Sequence, residues 1–301
     1  MIVDIETHPL LGACFARTNP GLISMVKRYT IYEHSPELLV AEMDQAGVDR
    51  AFLISYDAED IVWELEYKGF TIEDYAGGRK YSRAGLRRFP DRFWWFNTVK
   101  DPRRKDAAAL VRQDFADGAS GIKLFPAFLQ MHVDDPGLLR VFEEVAKAGG
   151  RALVSFQKIL PGRSIPHGQY FEEMAGVLER FPQTKFALMQ AGAVDPLTPG
   201  IKPVLELVRR YPNLYLGAGF VGEVWDDGTE YPFASYQRRI ETLVKGVGAD
   251  RVMWGTDWPW FEDKMKYTQS VDCIRKHAHF MTAAEKALFL GDTAARFMGA
   301  S

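Results

Sequence analysis

Near its N-terminus the chain reads Asp4-Ile5-Glu6-Thr7-His8, and near its C-terminus Gly255-Thr256-Asp257-Trp258-Pro259. A carboxylate two residues from an imidazole can ligate a divalent cation or move a proton. Either use requires the two side chains to share a face. Side chains alternate along a strand, so Asp4, Glu6 and His8 fall on one face and Val3 and Ile5 on the other. Turned into a protein interior, that polar face is costly unless its groups bind a metal or each other. An exposed edge strand is the plainer alternative, and the apolar start of the segment argues against it. Asp257 closely follows the apolar run Val252-Met253-Trp254 and precedes Pro259, which stops the strand. A catalytic carboxylate suits that position; an aspartate capping the next turn is the other reading.

Positioning these groups falls to the elements around them. Short apolar runs alternate with amphipathic stretches along most of the 301 residues, the pattern of a parallel sheet covered by helices. Eight candidate strands begin near Ile2, Ala51, Phe93, Gly121, Ala152, Phe186, Leu214 and Arg251. Ser35 is a helix N-cap followed by Pro36, and Gly47 closes that helix. Asp135-Pro136 opens another, with Leu138, Leu139, Phe142, Val145 and Ala146 at helical spacing and Gly149-Gly150 at its end. Residues 171–181, 204–211 and 236–247 read as helices too, and 282–298 as two helices broken at Gly291.

Eight strands, each followed by a helix, make a (β/α)8 TIM barrel, read as a single domain over residues 1–301. A doubly wound open sheet is the competitor, but it would carry a Gly-rich turn after the first strand, where Glu6-Thr7-His8-Pro9 stands. Residues 10–34 and 56–89 are long βα loops, which in a barrel shape the pocket at the C-terminal ends of the strands.

Composition narrows the partners. The formal net charge is −3, and no clustered basic surface for nucleic acid is evident. The locally basic run from Arg79 to Arg92 reads as a solvated helix face. Cys14 and Cys273 lie far apart, so no disulfide framework is expected and a reducing compartment is. The N-terminus is charged where a signal peptide would be apolar, and no apolar run approaches a membrane span. The expectation is a cytoplasmic enzyme acting on a small molecule, without a membrane or nucleic-acid partner. His167 falls in the loop after the fifth strand and is a candidate for substrate contact. Trp258, Trp260, Phe125 and Phe220 follow strand ends and fit a pocket walled by rings, as they equally fit a core. His34, His132, His277 and His279 carry less weight.

The motifs together resemble the amidohydrolase-2 group of the amidohydrolase superfamily. Asp4-Ile5-Glu6-Thr7-His8 looks like its Asp-x-His-x-His or Asp-x-Glu-x-His opening. The likeness continues at Phe89-Pro90-Asp91-Arg92-Phe93, at Gly118 to Leu124, at Arg251 to Pro259 and at Gly291 to Phe297, so it covers essentially the whole chain. The resemblance implies metal ligands at Glu6, His8 and Asp257. It also implies histidines at the ends of strands five and six, where this sequence has Gln157 and Gln190. A glutamine amide is a far weaker ligand than an imidazole. A metal-free site is therefore preferred, with one Mn, Mg or Zn ion as the alternative. In the metal-free form Asp257 is a general base, Glu6 shares its proton, and His8 acts as acid, base or donor. Gln157 and Gln190 then orient a carbonyl or carboxylate, and Lys123 holds an anionic group or makes an ion pair with a barrel carboxylate.

The family resemblance implies hydrolysis of a C–O or C–N bond in an ester, lactone or amide. Non-oxidative decarboxylation, or a dehydratase or cyclase type of lyase reaction, is the alternative, and a catalytically inactive ligand-binding barrel is the third reading. Homodimers are frequent in that family, and the resemblance is the sole support for one here.

Overall fold

The computed structural model describes residues 1–11, 33–55, 77–99, 101–157, 165–219, 230–262 and 264–300. Cys14, Phe220, most of the stretch 10–34 and residues 56–76 of the second excursion lie outside them. Among the described residues eight parallel strands follow one another in sequence order around a sheet. They are β1 (Val3–Thr7), β2 (Arg50–Ile54), β3 (Phe93–Thr98), β4 (Gly121–Leu124), β5 (Arg151–Val154), β6 (Lys185–Leu188), β7 (Leu214–Gly217) and β8 (Val252–Met253). The sheet closes on itself: Ile5 N donates to the Trp254 carbonyl at 3.2 Å, Asp257 N to the Glu6 carbonyl at 2.8 Å and His8 N to the Trp258 carbonyl at 2.7 Å. The fold is thus a (β/α)8 barrel, as the strand count predicts.

The strands are short, continuous apolar runs because both faces are buried. Val3, Ile5, Phe52, Ile54, Phe96, Leu153, Ala187, Met189 and Met253 fill the barrel interior. Leu53, Trp95, Ile122, Leu124, Val154 and Leu188 face the helix layer. Helix α1 (Pro36–Ala46) starts at Ser35, whose side chain accepts from Leu38 N, and stops at Gly47 in the left-handed region (φ 73°). In α2 (Arg79–Arg88) Lys80, Arg87 and Arg88 are exposed, as a solvated face requires, while Arg79 and Arg83 are half-buried. Arg79 and Arg83 pair with Asp114 and Asp117 at 2.7 and 2.9 Å, around α3 (Ala107–Ala116). Helices α4 (Pro136–Lys147), α5 (His167–Arg180), α6 (Ile201–Arg210), α7 (Ala234–Val247) and α8 (Tyr267–Arg275) continue the alternation.

The C-terminal stretch is helical at α9 (Ala283–Ala287) and α10 (Thr293–Met298), joined by a π-helical turn over Leu288–Asp292 that contains Gly291. A Cβ on Gly291 would stand 2.1 Å from the Met1 carbonyl oxygen, so this crossing requires glycine. Helix α10 closes the end of the barrel where the strands begin. Phe297 stacks on Phe52 and meets Tyr215 edge-on, with centroids 6.4 and 5.3 Å apart. Arg151 and Lys185, the first residues of β5 and β6, donate to the carbonyls of Phe297, Met298 and Arg296. Cations suit these carbonyls at the end of a helix.

Candidate active site

At the other end of the barrel the strands deliver ionisable groups. Strand β1 is buried along its length, and its pairing with β2 shifts register between Asp4 and Thr7. That irregularity corrects the expectation that Asp4, Glu6 and His8 share a face. A bulge adds a residue and reverses the alternation, so Asp4 points away from the interior while Glu6 and His8 point into it. The Asp4 carboxylate accepts from Thr256 N at 2.9 Å, Thr256 Oγ1 at 2.6 Å, the Tyr267 hydroxyl at 3.0 Å and Glu6 N at 3.0 Å. It thus ties β1 and α8 to the segment carrying Asp257. Burial pushes its carboxyl up to about 7, against the opposing pull of these hydrogen bonds.

Inside the barrel, Lys123 on β4 donates from Nζ to Glu6 Oε1 at 2.7 Å. It also lies 3.3 Å from His8 Nε2 and 4.8 Å from the centroid of the Phe125 ring. Gln190 donates its amide N–H to the same Glu6 oxygen and accepts from Ser155 Oγ at 2.9 Å. Asp257 Oδ1 stands 3.3 Å from His8 Nε2. An ammonium only donates, so Nε2 accepts from Lys123 when the ring proton sits on Nδ1.

The electrostatics follow from enclosure. Burial, with Lys123 adding to it, drives His8 well below the usual histidine range, so the ring is neutral. Burial raises Glu6; Lys123 opposes the rise and Asp257 adds to it. Asp257 is pushed up to about 6 by burial against the opposing pull of Lys123. Both carboxyls of the pocket are thus displaced upward from the usual carboxylate range, which disfavours ionising the two together. Glu6 Oε2 is buried and without a hydrogen bond among the described residues. A Cβ at Gly219 would stand 2.5 Å from Oε2, so only glycine leaves room for it.

Backbone strain gathers at the same place. Asp257 has φ 61°, and Gln190, Ala191 and Ala193 have φ between 49° and 59°, with Gly192 at 71°. Left-handed conformation costs an L-residue roughly 1–2 kcal/mol, and such strain collects at functional sites. Here it turns Gln190 back over the barrel mouth onto Glu6.

The structure therefore brings Glu6, His8, Lys123, Gln190 and Asp257 together. Gln157 is half-buried at the edge of the described segment and outside the Glu6 network, its N–H 3.4 Å from Ser155 Oγ. His167 is the first residue of α5 rather than a loop residue, with Nε2 3.3 Å from the Phe156 carbonyl oxygen. Trp258 is 0% exposed and lies behind the site. Its indole donates to Glu262 at 2.6 Å, and Glu262 also holds His34 at 2.8 Å. Sequence reasoning missed Ser155 and Gly219. A serine between Val154 and Phe156, and the small residues Gly217-Ala218-Gly219 at the end of β7, were the available signals.

The ligand atoms of Glu6, His8 and Asp257 lie within 4.8 Å of one another, close enough for a divalent ion. Glu6 Oε2 keeps its lone pairs, but a cation already stands against two of the three ligands. Lys123 Nζ sits on Glu6 Oε1 and against His8 Nε2, and the Gln190 amide takes Glu6 Oε1 as well. As arranged, this donor set does not fit a divalent ion.

The model of the amidohydrolase family (the Amidohydro_2 group) matches residues 3–300, and the chain belongs to that family. No curated protein matches it. Among solved structures it is similar to a probable 2-pyrone-4,6-dicarboxylic acid hydrolase from Acinetobacter baumannii with citric acid bound. That match has 15% identity, TM-score 0.68 and 99% of each chain covered. An amidohydrolase from Burkholderia multivorans with bound zinc matches at 16% identity and TM-score 0.69, with 100% of each chain covered. A 5-carboxyvanillate decarboxylase from Novosphingobium aromaticivorans, complexed with manganese and 4-hydroxy-3-methoxy-5-nitrobenzoic acid, matches at 15% identity and TM-score 0.65. There 99% of this chain and 96% of that one are covered. At these identities the likeness shows the fold. Among the described residues, no helix is long and apolar enough to cross a membrane.

Proposed function

We propose that the protein hydrolyses a C–O or C–N bond (an ester, lactone or amide) in a small carboxylated substrate, with Asp257 as general base. The observation that carries this reading is Asp257 itself. Its carboxyl is pushed up to about 6, near working pH, and it faces a neutral imidazole at the end of β8 where a barrel does its chemistry. Asp257 takes a proton from water as the water oxygen bonds to the acyl carbon. The Lys123 ammonium, beside it in the same pocket, stabilises the oxyanion. When the C–O or C–N bond breaks, Asp257 returns the proton to the leaving group. Gln190, Gln157 and His167 are proposed to orient the substrate. The hydrolase similar in fold supports the class of substrate.

Decarboxylation is the second reading, favoured by the Glu6-x-His8 opening and the decarboxylase similar in fold. A panel of esters, lactones, amides and aromatic carboxylates, assayed for acid release and for carbon dioxide, separates the two. Hydrolysis predicts acid release without carbon dioxide, with kcat/KM rising as Asp257 deprotonates through about pH 6. Carbon dioxide from an aromatic carboxylate, with every ester, lactone and amide inert, would reverse the assignment.

A further inference from the structure

We propose that the Lys123 ammonium is a built-in cation that occupies the divalent ion's place, so that this barrel works without a metal. The claim stands on the donor set and does not depend on which bond is broken.

Three observations converge. Lys123 is 1% exposed on a strand whose neighbours Ile122 and Leu124 pack into the helix layer, so it points into the barrel. Its ammonium is surrounded as a cation should be: a carboxylate oxygen at 2.7 Å, an imidazole nitrogen at 3.3 Å and an aromatic face at 4.8 Å. The third is Gln190 at the end of β6, held with its oxygen toward Ser155 and its N–H toward Glu6. A carboxylate only accepts, so the amide must face Glu6 with its donor, where a ligand would present a lone pair. Lys123 and Gln190 thus both place hydrogens where a metal would require electron pairs. A carboxylated Lys123 is disfavoured too, because it would set an anion against Glu6.

The test needs no substrate. Metal-free protein is titrated with Zn²⁺ and Mn²⁺ alone, by calorimetry and by the electron paramagnetic resonance of free Mn²⁺. Wild type is expected to take up less than about 0.1 equivalent at either ion. Lys123→Met and Lys123→Gln, which remove the charge, are expected to bind at least about tenfold more tightly. Adding Glu6→Gln to either should cancel the gain. Stoichiometric uptake by wild type that Glu6→Gln abolishes would overturn the proposal. So would folded Lys123 variants with no gain. Should neither variant fold, the lysine ammonium ¹⁵N–¹H spectrum of wild type decides. A protected ammonium signal unmoved by excess Zn²⁺ supports the proposal, and its displacement by Zn²⁺ refutes it. Failure here leaves the hydrolytic reading standing, and failure of that reading leaves the titration unchanged.

Discussion

The two ends of the barrel are built from the same strands and have opposite chemistry. Where the strands begin, Phe52, Phe96, Tyr215 and Phe297 pack ring against ring beneath a terminal helix pinned by Arg151 and Lys185. Where they end, Glu6, His8, Lys123 and Asp257 are buried, and burial displaces the titration of Glu6, His8 and Asp257. The apolar end gains from burial, about 25 cal/mol per Å² of apolar surface. The polar end holds charges that burial disfavours. Stability and reactivity are therefore separable along one axis, and substitutions at the two ends should move different measurements.

The sharpest separation comes from Asp257→Asn. Asparagine tolerates positive φ well, so the turn at φ 61° should survive. The base is lost, and kcat/KM should fall by about 10²–10⁴-fold with little change in the urea midpoint. Full activity in this variant would remove Asp257 from the chemistry. The mirror experiment is Phe297→Ala at the opposite end. Phe297 is fully buried, and truncating a buried phenylalanine costs about 3–5 kcal/mol. The urea midpoint should drop sharply, while kcat per folded molecule stays at the wild-type value. A fall in kcat alone would mean that the two ends are coupled.

Much of this division was legible in the sequence. The strand starts and the caps at Ser35, Gly47 and Asp135 follow from apolar runs, helical period and turn chemistry, and the approach of Glu6, His8 and Asp257 from the family resemblance and their places at strand ends. The facing of Asp4 did not follow, because a one-residue bulge inverts alternation without leaving a compositional trace. The partner of Lys123 was open for another reason. An inward lysine is recognisable only when the strand across the barrel is known, and Glu6 lies far away in sequence. The role of Phe297 as the plug likewise depends on closure, since Gly291 must first cross the Met1 backbone.

Asp4 lies between the two ends in kind: a buried carboxylate used for structure. Asp4→Asn replaces an acceptor of four hydrogen bonds by a group with one acceptor oxygen, leaving buried donors short of partners. Such a deficit costs about 1–3 kcal/mol. Thr256 N and Oγ1 would loosen, and the Trp258 N–H bound to Thr256 Oγ1 with them. That penalty also depends on pH. The Asp4 carboxyl titrates near 3.8 unfolded and at about 7 in the fold. Between those values the folded state holds a proton that the unfolded state has released, so this group's contribution to stability falls as pH rises. The contribution is fully present below the unfolded value and gone above about 7. Asparagine has no such dependence. The stability gap between wild type and Asp4→Asn, measured by urea titration, should therefore be wider at pH 5 than at pH 8. A gap that widens with pH would mean that the four donors hold Asp4 ionised in the fold, outweighing burial.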